Sequence, residues 1–209
     1  MSAALGLELE GRPLERVRAE LAVVAFFEGE RPLRGSAGRA DWRLCGALSE
    51  LLARGRLLGA RGEAVLVTSD GALRAPRVVA LGLGAREAFS LALAEALGRD
   101  AVGRAVDLGA ASAVLALLEV GPGGASPGAR IEALVCGAAR AVAERDAEIH
   151  LRVLVRADEL AEVREALRRV RPAGLPRPVA LRLPAPARPA PSGAAPSGRR
   201  SSPPPPIVK

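Results

Sequence analysis

The sequence predicts an α/β domain in three layers, a mixed and mostly parallel sheet between two sets of helices. Three observations lead there. Short apolar runs of strand length alternate with segments of helical periodicity along most of the 209 residues. Two of those runs, 21–27 and 77–83, are apolar almost without interruption, the pattern of strands buried on both faces. The composition is 49% hydrophobic, enough to fill such a core, although only 2% is aromatic.

The strands are expected in the order 5–10, 21–27, 64–69, 77–83, 111–118 and 149–155, with a short edge strand at 179–183. Runs 21–27 and 77–83 should be central. In 149–155, Leu151, Val153 and Val155 alternate with His150, Arg152 and Leu154. The helices fall between them. Segment 41–55 places Trp42, Cys45, Leu48, Leu51 and Leu52 on one apolar stripe. Segment 85–109 does the same with Phe89, Leu93, Leu97, Val102 and Val106, and Gly109 supplies its stop. Segment 127–145 opens on Pro127, a residue suited to a first helical turn. Segment 158–170 has Asp158 as its N-cap and ends in Arg168 and Arg169, each favourable to the helix dipole. The Gly- and Pro-rich stretch 121–128 reads as a loop. The folded domain is expected over residues 1–183. Residues 184–209 are almost all Pro, Ala, Ser, Gly and Arg, and read as a disordered tail of polyproline II character.

Charge narrows the partners. The net charge is +7, but from Arg171 onward there are seven basic residues and no acid, which leaves residues 1–170 at 23 basic and 23 acidic. Contact with nucleic acid should then be weak and carried by the tail, with the adjacent Arg199 and Arg200 as its centre. A protein groove that takes polyproline is the other partner such a tail suits. No apolar run reaches membrane-spanning length, and the amino terminus has no basic, apolar leader, so a cytoplasmic location without a membrane is expected.

The chemistry available is sparse. The chain has one His, and its two cysteines, Cys45 and Cys136, sit in helical patterns and read as buried thiols. Neither metal-ligand spacing nor a catalytic triad can be assembled, and the pairs Glu8/Glu10 and Glu28/Glu30 and the trio Glu144/Asp146/Glu148 read as solvated. No cofactor and no metal are expected, and no catalytic residue is assigned. One candidate site remains. Run 77–83 ends in Gly82, Leu83 and Gly84, and Ala85 and Arg86 lead into a helical pattern, which is how a strand feeds a helix at an anion-binding turn. Against that, Glu87 stands where a full phosphate loop has its third Gly. The turn reads first as a way of reversing the chain.

The order of the pieces resembles the amino-terminal domain of the leucyl (cytosol) aminopeptidase family over about residues 5–170. The resemblance rests on "DWRLCGALSELLARGRLLGARGEAVLV" at 41–67, with its Gly-Ala-Leu-Ser core, and on "RVVALGLGAREAF" at 77–89. A weaker match is the helix at 129–145 entering the strand at 149–155. The resemblance implies a macro-like fold. In the family this domain precedes a catalytic domain that holds two metals, with the signature Asn-Thr-Asp-Ala-Glu-Gly-Arg. Here there is no Asn, and the single Lys is the last residue. The expectation is therefore a non-catalytic interaction or assembly domain, not an enzyme, paired with itself or with a full-length aminopeptidase. The alternatives are a nucleotide or ADP-ribose module acting through the turn, as macro domains do, and a DNA-binding accessory, as some bacterial family members are.

Overall fold

A computed structural model describes residues 3–118, 125–170 and 180–182. The tail, with Arg199 and Arg200, and residues 121–124 of the 121–128 loop lie outside the described residues. Seven strands form one sheet in the order β3-β4-β2-β5-β6-β1-β7. They are β1 (Ala4–Glu10), β2 (Leu21–Phe26), β3 (Ala64–Thr68), β4 (Arg77–Gly82), β5 (Ser112–Ala116), β6 (Glu148–Leu154) and β7 (Ala180–Arg182). Every pairing is parallel except β3 with β4. All seven expected strands are present. β2 and β4 are interior as expected, although β5 occupies the middle of the sheet.

Helices cover both faces. On one side α3 (Leu91–Asp107), α4 (Pro127–Glu144) and α5 (Leu160–Arg169) close a core with Leu5, Val23, Leu81, Leu115 and Val153. On the other side α1 (Gly35–Arg43) and α2 (Ala47–Ala53) cover Val24, Phe26, Val78 and Val114. β2 feeds alternate residues to both cores, which is why its run is apolar throughout.

Several boundaries differ from the expectation. The helix expected over 41–55 is two helices. Cys45 and Gly46 both adopt left-handed backbone (φ 54° and 84°), which ends α1 and starts α2 in a new direction. Asp41, 8% exposed, accepts hydrogen bonds from the N–H groups of Leu48 (2.8 Å) and Ser49 (3.0 Å), and so caps α2 from across that corner. The break rotates Trp42 out of the expected stripe, and it is 75% exposed. It also leaves Cys45 exposed, and Cys136 is half-buried rather than buried. The third helix starts at Leu91, not 85, because the Ser90 hydroxyl caps it by accepting from Leu93 N–H. Asp158 is not a cap. It pairs with Arg156 at 2.8 Å, and Glu159 holds the N-cap position. Glu10 is buried rather than solvated, gripped by the Arg12 guanidinium at 2.5 Å.

Two carboxylates fasten the fold electrostatically. The N–H of Gly128 in the first turn of α4 donates to Glu162 of α5 at 2.9 Å, and that bond holds the Glu162 carboxyl below its ordinary range. Glu10 is held low by its hydrogen bonds to Arg12. A depressed carboxyl contributes stability above its unfolded pKa and loses it as the pH falls through the folded one. Thermal melts should therefore be flat down to about pH 5 and decline below about pH 4.5, where free carboxyls start to titrate. Glu162→Gln should shrink that decline, and an identical acid limb in the variant would remove Glu162 from the account.

Candidate functional site

The predicted turn sits at the C-terminal end of β4, beside the end of β2. The first three of its backbone donors are used within the chain. Gly82 N–H donates to Glu63 O (2.8 Å), Leu83 N–H to Phe26 O (3.0 Å) and Gly84 N–H to Gly59 O (2.8 Å). A Cβ on Gly82 would lie 2.2 Å from Ala60 O, so glycine there lets the chain at 59–60 pass against the sheet. Gly84 has φ 74° and rests on Arg61. Ala85 precedes a short 3-10 turn, Arg86–Ala88.

Arg86 is also occupied. Its guanidinium pairs with Glu30 at 2.9 Å and stacks 4.2 Å above the ring of Phe27. Phe27 meets Phe89 edge to face, with centroids 6.1 Å apart. Glu30 is the hub of this corner, because it also accepts from the backbone N–H of Phe27 (3.3 Å) and of Arg34 (3.0 Å). The result is an open depression of about 440 Å³ lined by Arg31, Arg34 and Arg86 and by Glu28, Glu30 and Glu87. Three cations face three carboxylates, so the depression carries no net charge.

Elsewhere many of the ionisable groups pair with one another. His150 lies 3.4 Å from the Glu8 carboxylate, which also takes Arg152 at 3.1 Å. Gly6 leaves the space that the imidazole fills, since a Cβ there would come 2.7 Å from Nδ1. Burial, and then the neighbouring Glu95, push the Cys136 thiol up, which disfavours the nucleophilic thiolate. Between α3 and α4, an open groove of about 710 Å³ is crossed by the pairs Arg99–Glu144, Arg140–Glu95 and Arg145–Asp107. Among the described residues no three His, Cys, Asp or Glu side chains are grouped so as to hold a metal, and no helix is long and apolar enough to cross a membrane.

Sequence periodicity missed the α1 corner. Trp42 is the single tryptophan of the chain. It projects from α1 with Arg43 stacked 5.3 Å from its ring, beside exposed Cys45. The consecutive Cys45-Gly46, with glycine free to take positive φ, was the sequence signal for the break that exposes it.

A sheet of this order, antiparallel only at β3 and covered on both faces, defines a macro-like three-layer domain. The model of the cytosol aminopeptidase family, N-terminal domain, matches residues 23–147. The chain belongs to that family, as its N-terminal domain. Solved structures agree on the fold. A point mutant of tomato leucine aminopeptidase is 19% identical (TM-score 0.55), over 78% of this chain and 35% of its own. A point mutant of the Oceanobacillus iheyensis macrodomain is 14% identical (TM-score 0.63), over 78% of this chain and 90% of its own. The macrodomain of Mycobacterium tuberculosis DarG is 17% identical (TM-score 0.56), over 71% of this chain and 96% of its own. The chain spans about a third of the aminopeptidase it matches.

Proposed function

We propose that this is a non-catalytic interaction domain of the cytosol aminopeptidase family, cytoplasmic, which assembles with itself or with a full-length aminopeptidase and does not hydrolyse peptides. The observation that carries the reading is Trp42, 75% exposed on a chain with only three other aromatic residues. A tryptophan held out in water, with an arginine on its face, has the chemistry of an interface anchor. The family match supports the rest, because it falls on the N-terminal domain.

The same residue supplies the test. As the single tryptophan, Trp42 reports its own burial through its fluorescence. Titration with a full-length aminopeptidase of the family should shift its emission to the blue. Trp42→Ala should weaken the complex by about 2 kcal/mol, roughly thirtyfold, as anchors of this kind do. An unshifted emission and an unchanged affinity would take Trp42 out of the interface.

A second reading is nucleotide binding at the β2–β4 end. It is favoured by the depression beside Arg31, Arg34 and Arg86 and by likeness to a fold of which one Oceanobacillus iheyensis structure holds ADPR.

A further inference from the structure

From the outer edge of β3 we infer that a second copy of this chain is its partner, joined strand to strand across a twofold axis at Leu66. This rests on the assembly reading above but uses a different surface from Trp42.

β3 is the terminal strand of the sheet on its side. Its sequence, AVLVT, has none of the usual guards of an exposed edge, neither charge, nor proline, nor bulge. Of the four large apolar side chains exposed among the described residues, Leu66, 45% exposed, stands on this strand.

The hydrogen-bond phase fixes what the edge offers. Gly82 donates to Glu63 O and Ser69 to Pro76 O. With Val65 opposite Ala80 and Val67 opposite Val78, the odd-numbered residues bond inward to β4. Ala64, Leu66 and Thr68 therefore turn both backbone polar groups outward. An antiparallel copy centred on Leu66 sets Leu66 against Leu66, and Ala64 against Thr68 on each side of it. All three positions are then bonded pairs. On the other face Val65 meets Val67. No like charges oppose one another anywhere along the five residues.

The strand is also close to a palindrome about Leu66, with Val on either side of it, which suits a twofold. The pairing stops at these five residues, because 59–61 packs inward against Gly82 and Gly84, and Asp70 and Gly71 enter the connection to β4 at positive φ. Such an edge buries little area, so the association is weak, on the order of micromolar or weaker.

The test is sedimentation of the full chain over concentrations up to about 1 mM, with amide hydrogen exchange read at each. A concentration-dependent dimer is expected, with exchange at Ala64, Leu66 and Thr68 slowing as it forms. Leu66→Lys sets like charges on the axis and should leave a monomer with unchanged circular dichroism. Thr68→Pro removes one outward N–H of the edge without touching a bond to β4 and should weaken the dimer about tenfold, which keeps the proposal falsifiable if Leu66→Lys does not fold. A monomer throughout would overturn it. So would a dimer whose three edge amides exchange unchanged, or slowing seen only when an aminopeptidase is added. If the edge fails while Trp42 still shifts with an aminopeptidase, the edge alone is lost. If the dimer forms and Trp42 stays silent, the Trp42 reading falls and the edge stands.

Discussion

Gly137→Val should prevent α3 and α4 from packing and lower the melting temperature by roughly 10 °C or more. A Cβ at Gly137 would lie 1.8 Å from Glu95 O and 2.8 Å from Arg99 N. The neighbours that would have to move are backbone atoms of α3, not the free end of a side chain. The same crossing is sealed from the other helix, where a Cβ on Gly98 would come 2.1 Å from Leu134 O. The two helices thus touch backbone to backbone, in a core that also holds Leu97, Ala101, Leu134 and Ala138. Overpacking such a contact costs about 3 kcal/mol or more. In a chain of this size each kcal/mol is worth about 2–4 °C. Gly11→Ala is the control, because nothing lies within 4 Å of its Cβ position. Equal melting temperatures for the two variants would mean that the helices can part without cost.

The strands were legible because each carries its own signal. β2 and β4 are apolar throughout because both of their faces are covered, and β6 alternates at Ile149, Leu151 and Val153 with His150 and Arg152. The fold class and the family followed from their order. The helical corners were less legible. Trp42 lies at helical spacing from Cys45 and from Ser49, so periodicity alone runs one helix through 41–55. The break depends on Cys45 accepting a left-handed backbone and on the Asp41 carboxylate reaching the N–H groups of Leu48 and Ser49, a contact seven residues along the chain. Asp158 failed as a cap for a related reason. Arg156, two residues away, offers a charged partner, and local pairing wins over the helix end. Glycine inside a helix is unfavourable by propensity alone, and nothing in the sequence around Gly98 or Gly137 says why one stands there. Their purpose is visible only when α3 and α4 are brought together.

Gly82→Ala should destabilise the domain in the absence of any ligand, and this separates a structural turn from a binding one. A glycine kept for a ligand costs affinity when replaced, but little stability. Gly82 is enclosed by the chain itself, with Ala60 O 2.2 Å and Gly59 C 2.6 Å from the position of a Cβ. The added methyl must push the 59–60 segment away, and with it the bonds from Gly82 to Glu63 O and from Gly84 to Gly59 O. A cost of about 3 kcal/mol follows from overpacking against backbone. The companion measurement is the melting temperature with ADP-ribose. A ligand present at a hundred times its dissociation constant adds about 2.7 kcal/mol of stability, worth roughly 5–10 °C in a chain of this size. With three donors of the turn satisfied inside the chain and Arg86 committed to Glu30 and Phe27, millimolar ADP-ribose should leave the melt unmoved. A rise of several degrees, abolished by Arg86→Ala in a variant that still folds, would show that the ligand can displace the Glu30 pair. The β2–β4 end would then be a nucleotide site.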